Sequence, residues 1–164
     1  MGKEIAMTMH VKDVMTRLPY TIDLEAPIAT AVAVMRDKGV RHLPVVDDAG
    51  RLLGMVSDRD LRDAVFAPAF AEHLSLVARR RLRGLSAALE GLRVKDVMTW
   101  DAVTTKPEAS LAQAAAVMFE GRFGSLPVMD KDELVGIVTG RDVLRALAQT
   151  LPSVRGLDPD TYLW

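Results

Sequence analysis

"VKDVMT" at residues 11–16 is spelled again, letter for letter, at 94–99, a spacing of 83 positions. The register then holds: Met35 matches Met118 and Pro44 matches Pro127 at that offset, while "GMVSDRD" (54–60) matches "GIVTGRD" (136–142) at 82. One residue has dropped out between "VVDDAGRLLG" and "VMDKDELVG", in an Asp- and Gly-rich stretch that reads as a hairpin turn, where a change of length costs least. Repetition at a fixed period organises a whole fold. The chain is therefore read as two copies of one unit.

Within each copy a short segment, "PYTID" or "AVTTK", precedes a helical stretch. Its apolar residues, Ile28, Val32 and Met35 or Leu111, Ala115 and Met118, recur at four and seven and predict one buried face. Two β-branched runs follow, split by the turn: "LPVV" then "LLGMVS", and "LPVM" then "LVGIVT". A second helix opens near Asp58 or Gly140. The order is β-α-β-β-α, twice, an α/β class of fold. A unit of about 60 residues is marginal alone, so the two copies are expected to pack into one globule. The boundaries read as repeat 1 over 1–66, a linking helical segment over 67–93, repeat 2 over 94–149 and a tail over 150–164. In the linking segment Leu74, Ala78, Leu82, Leu85 and Leu89 follow helical spacing, with Arg79, Arg80, Arg81 and Arg83 mostly off that seam. Such a pattern is a solvated basic face or a landing site for an acidic partner.

Composition narrows the function. Of 164 residues, 49% are hydrophobic, which is enough for a core. There is no run of eighteen uncharged apolar residues, and "MGKEIAMTMHVKD" is charged too early for a secretory leader, so a soluble, unprocessed protein with no membrane association is expected. The absence of cysteine excludes disulfides and thiolate metal sites and fits a cytoplasmic location. A net charge of -1 gives no field to draw nucleic acid, so no nucleic-acid partner is expected. His10, His42 and His73 lack metal-ligand spacing. No Walker loop, GxGxxG or nucleophile elbow occurs, so neither an enzyme nor any catalytic or metal site is expected.

Ser57-x-x-Asp60 and Thr139-x-x-Asp142 each open a helix after a strand. This is the spacing of a capping box, in which hydroxyl and acid satisfy the first amides of the helix. It also suits a nucleotide: a helix N-terminus attracts phosphate, and a carboxylate beside it can accept from both ribose hydroxyls. Arg59 and Arg141 add a cation one residue before each Asp. A capping box needs no arginine, so its presence in both copies favours a nucleotide.

The combination of "DVMT", "LPVV" or "LPVM", and "GMVSDRD" or "GIVTGRD" resembles the CBS domain, the motif named after cystathionine β-synthase, and two in tandem resemble a Bateman module. The resemblance runs from about Val11 to Ala64 and from Val94 to Ala146. It implies a three-stranded sheet with two helices in each copy, the copies packed around a pseudo-two-fold axis with two clefts between their sheets. Such clefts take adenosine ligands: AMP, ADP or ATP foremost, with NAD or S-adenosylmethionine as further members of the class. Carried over, Asp60 and Asp142 would hold ribose hydroxyls, with Ser57 and Thr139 near ribose or phosphate. Thr16, Pro19 and Tyr20, and their matches Thr99, Ala102 and Val103, would line the adenine. Val40, Arg41 and His42 before Pro44, and Phe123, Gly124 and Ser125 before Pro127, would close each cleft. Arg41 and His42 stand where the second copy has Gly124 and Ser125, so unequal sites are expected. The resemblance further implies a homodimer, a flat disc of four CBS units, that senses a nucleotide and passes the signal to a separate regulated protein. A reading from another class stays open: a ligand-free interaction module working through the linking helix and tail.

Overall fold

A computed structural model describes residues 9–71 and 91–150, with side chains of 65–71 left aside. Residues 72–90 of the linking segment and 151–164 of the tail lie outside the described residues, and with them the readings of an acidic-partner site and of an interaction module working through these segments. The elements are α1 (Val11–Val14), β1 (Thr16–Arg17), β2 (Ile22–Asp23), α2 (Ile28–Lys38), β3 (His42–Val46), β4 (Leu52–Ser57) and α3 (Asp58–Ala71). A 3₁₀ turn (Val94–Asp96), β5 (Thr99–Trp100), α4 (Leu111–Gly121), β6 (Ser125–Asp130), β7 (Glu133–Thr139) and α5 (Gly140–Thr150) complete them. The β-α-β-β-α order is present in both copies, and both second helices begin at the expected residues.

The packed units do not follow the repeat boundaries. One comprises residues 19–102, the other residues 1–18 together with 103–164. The reason lies in "VKDVMT". Strand β1, in the leading segment of the first repeat, pairs antiparallel with β7 of the second, Thr16 opposite Ile137. Its counterpart β5 pairs with β4 of the first, Thr99 opposite Met55. Each copy's leading segment thus completes the other copy's sheet. One sheet runs β2-β3-β4-β5 and the other β1-β7-β6. The expected three strands per copy become four in the first, because a lent strand is added. In the second, the copy's own first strand shrinks to a single parallel bridge, Thr105 to Val128, so three strands are reached only with the lent one.

The lent segment does more than extend a sheet. Val11 donates to the Ala109 carbonyl (2.9 Å), Lys12 to that of Pro107 (3.0 Å), and Leu111, the first residue of α4, donates back to Met9 (2.8 Å). The same three bonds recur as Val94 to Ala26, Lys95 to Leu24 and Ile28 to Leu92 (2.9, 3.0 and 3.2 Å). An amide of the first turn in α2 and in α4 therefore finds its acceptor in lent backbone. Val11 and Val94 are wholly buried, each in the core of the unit it joins. Surface pairs Lys12–Glu108 and Lys95–Glu25 (both 2.6 Å) close the contact outside.

The buried residues of α2 are Ile28, Ala31 and Met35, and those of α4 are Leu111, Ala114 and Met118. Ile28 and Met35, and Leu111 and Met118, are buried as expected; only the middle residue of each expected face was misplaced by one position, Val32 being 49% exposed and Ala115 half-buried. In both helices an alanine at i+3 is buried, and in α2 the larger Val32 at i+4 is exposed instead, which keeps that helix and its sheet close.

Glycine at 54 and 136 is required by the lent strands. A Cβ on Gly54 would stand 2.2 Å from the Thr99 carbonyl oxygen, and one on Gly136 would stand 3.0 Å from that of Thr16 and 2.7 Å from Met15 Sδ. Backbone cannot yield where a flexible thioether can. Gly54→Ala is therefore expected to destabilise the protein severely, by about 3 kcal/mol or more, as an overpacked core does, and Gly136→Ala by less. Urea unfolding of the two variants checks the order.

Candidate functional site

Each unit carries one hydroxyl–acid box, and both are formed in full. The Asp60 Oδ2 accepts from the Ser57 amide (2.7 Å) and hydroxyl (2.6 Å), while the Ser57 hydroxyl oxygen accepts from the Asp60 amide (3.2 Å). The second box repeats this with Thr139 and Asp142, at 2.9, 2.6 and 3.3 Å. The segment before each buried proline adds another cap. The Arg41 carbonyl accepts from the Asp58 amide (2.9 Å) and the Gly124 carbonyl from that of Gly140 (3.0 Å). The amides of residues 57, 58 and 60 are thus engaged within the chain, and a helix start supplies a phosphate with fewer free donors than the spacing alone suggested.

What the boxes leave for a ligand is the other oxygen of each acid. A carboxylate oxygen has two acceptor positions, enough for both hydroxyls of a vicinal diol. The two acids are not alike. Asp142 is 7% exposed and its Oδ1 lies 3.6 Å from Arg145 Nη1, whereas Asp60 is half-buried and has Asp63 at the matching helical step.

The antiparallel ladders bring the remaining residues to these boxes. His42 stands opposite Ser57, and Ser125 opposite Thr139. In the unit spanning 19–102, Arg41 and Arg59 are exposed, while Val40 and His42 are half-buried. Tyr20 is 52% exposed, with Lys38 Nζ 5.1 Å from its ring centroid. In the other unit Phe123, Gly124 and Arg141 are exposed and Ser125 is buried. Pro44 and Pro127 are fully buried inside their strands. The exchange of leading segments also redistributes the residues expected to line an adenine. Thr16 lies in the unit of Thr139 and Asp142 rather than that of Ser57, and Thr99 and Ala102 lie in the unit of Ser57 and Asp60, with Pro19 and Tyr20. Val103 lies with Asp142. Three residues went unnoticed in the sequence: Lys38, Arg145 and the pair-defining Gly54. The last had a signal, since glycine opens the same run in both copies.

Among the described residues no cluster of three or more His, Asp or Glu could hold a metal ion, and no helix is long and apolar enough to cross a membrane.

Burial lowers the pKa of His42 from its usual value near 6.5, with the cations Arg41 and Arg59 acting in the same direction and the anions Asp58 and Asp60 against it. The unfolded chain therefore takes up this proton first as pH falls, so the stability held by neutral His42 drains away from about pH 6.5 down to the lowered pKa. In thermal melts between pH 7.5 and about 5, wild type should lose melting temperature faster than His42→Gln, and equal slopes would contradict this.

A model of the CBS domain matches residues 11–67 and 94–149. A CBS domain-containing protein of Dictyostelium discoideum is 33% identical over 149 residues, covering 90% of this chain and 97% of that protein. An inosine-5'-monophosphate dehydrogenase of Nitrosopumilus maritimus is 30% identical over 143 residues, but these span 87% of this chain and 25% of the enzyme. Crystal structures of the CBS-pair protein CBSX2 from Arabidopsis thaliana, one of them a complex with AMP, are 31% identical. They superpose with TM-scores of 0.69 and, for the complex, 0.67, covering 85% of this chain and 94% and 96% of theirs. Two family matches in tandem, on two units each built from β-α-β-β-α with exchanged leading segments, place this chain in the CBS domain family as a CBS pair.

Proposed function

We propose that the chain is a regulatory module that binds an adenosine ligand, AMP, ADP or ATP in preference to NAD or S-adenosylmethionine, and converts occupancy into a change of geometry between repeats or subunits. The observation that carries the reading is the doubled box with its basic neighbour. In both copies one acid oxygen is fixed by the cap, the other accepts no hydrogen bond among the described residues, though Arg145 stands 3.6 Å from that of Asp142, and an exposed arginine precedes the acid (Arg59, Arg141). The AMP complex of CBSX2 supports the ligand class. The ligand acts by its different affinity for two arrangements and is not consumed, so no catalytic group is invoked. A homodimer fits the exposed Leu144 and Leu147 of α5 (66% and 47%), and the output passes to a separate protein in the cytoplasm.

A second reading has its own observation. The boxes are complete without any ligand, so a ligand-free interaction module would need them only as caps.

A thermal-shift titration of the full chain with AMP, ADP, ATP, NAD and S-adenosylmethionine separates the two. A true ligand at about 100 times its Kd should stabilise the protein by roughly 2.7 kcal/mol. Asp60→Ala and Asp142→Ala should each cost about 1 kcal/mol as lost caps and also abolish the shift at one site. If both variants lose only the capping energy and keep every nucleotide response of the wild type, the sensor reading fails.

A further inference from the structure

The two units are joined at two places in the chain, between residues 18 and 19 and between 102 and 103. Just before each junction stands a residue in the left-handed region, Leu18 at φ 47° and Asp101 at φ 49°, matched by the offset of the repeat. Neither is glycine; aspartate enters this region more readily than most residues, whereas leucine keeps it only where the surroundings enforce it.

What enforces it is the strand carrying the hydroxyl–acid box. The Leu18 amide donates to the Val135 carbonyl (3.3 Å) on β7, which ends at Thr139, and the Asp101 amide donates to the Leu53 carbonyl (3.1 Å) on β4, which ends at Ser57. Across each junction the chain runs at once into proposed ligand residues of the other unit. Pro19 and Tyr20 follow Leu18, and Val103 follows Ala102. The wiring is crossed: the strand under one box is tied to a backbone segment that lines the other site.

We propose that Leu18 and Asp101 form a matched pair of pivots that couples the two hydroxyl–acid sites, so that filling one changes the affinity of the other by the same factor in both directions. The inference rests on the nucleotide reading above. A shift of β7 on occupation of the Thr139–Asp142 site moves the Val135 carbonyl and, through Leu18, Tyr20. A shift of β4 moves Val103 through Asp101. Because the pivots are held away from their relaxed backbone, the displacement is transmitted rather than absorbed. Glycine accepts the same φ without cost and would absorb it.

Calorimetric titration of the full chain with AMP is the test, with Asp60→Ala and Asp142→Ala isolating each site and the double variant Leu18→Gly, Asp101→Gly loosening the pivots. Wild type should bind in two steps that depart from the isolated-site affinities by about fivefold or more. The double glycine variant should keep each isolated affinity within about twofold and bind in independent steps. Independent steps in wild type, or unchanged coupling in the glycine variant, overturn the proposal. Hydrogen exchange without ligand gives a second readout. Asp60→Ala should speed exchange of the Thr105 amide, in the other unit, through the native pivots and not through glycine ones. Exchange that crosses the pivots while AMP binds nowhere would sink the nucleotide reading and keep the pivots. Exchange that stops at the junction in the native background would sink the pivots.

Discussion

Two backbones meet over a glycine in each unit, Thr99 upon Gly54, where a side chain has no room, and Thr16 upon Gly136, where one would be tight. The organisation of the protein depends on this approach. It lets a two-residue strand seat on the central hairpin, and that seating carries the short helical turn before it onto the start of α2 or α4. Sheet, helix start and a buried valine are completed together by a segment belonging to the other repeat. Burying a valine stabilises by about 1.5 kcal/mol or more, and this contribution is cooperative with the backbone bonds, because none forms unless the strand is seated. The acid of "VKDV" serves the same end locally: Asp13 and Asp96 cap the amides of His10 and Arg93 and hold the turn in shape.

Much of this was legible from residue pattern. The duplicated hairpins, both second helices at Asp58 and Gly140, and the turn where one residue was lost follow from β-branched runs and turn formers whose physics is local. The buried helix face was misjudged at Val32 and Ala115 because spacings of three and of four both return to one side of a helix. Choosing between them needs the distance to the sheet, which a sequence does not contain. The exchange of leading segments was hidden for a deeper reason. "VKDVMT" is identical in the two copies, so nothing in its letters says which copy it serves. Only the glycines of the central strands hinted that some backbone comes close.

The candidate sites show how capping and recognition can share one carboxylate. Each acid commits a single oxygen to the hydroxyl and amide before it, which fixes the rotamer and leaves the second oxygen oriented. A preorganised acceptor binds without the entropy cost of ordering itself. The sites then diverge through the residues around them: Arg41 and His42 face one box, Gly124 and Ser125 the other, and Arg145 attends only Asp142. Spacing reveals the shared chemistry of the two boxes. Their difference in burial is a property of the packed units.

The exchange also bears on what a single repeat can be. A polypeptide holding one copy would carry a leading segment with nowhere of its own to dock, and a glycine-bearing strand with nothing to cover it. Two such chains satisfy one another, each donating what the other lacks. Joining them end to end removes the dependence on concentration without altering a contact. The tandem chain is in this sense a swapped dimer made permanent by a peptide bond.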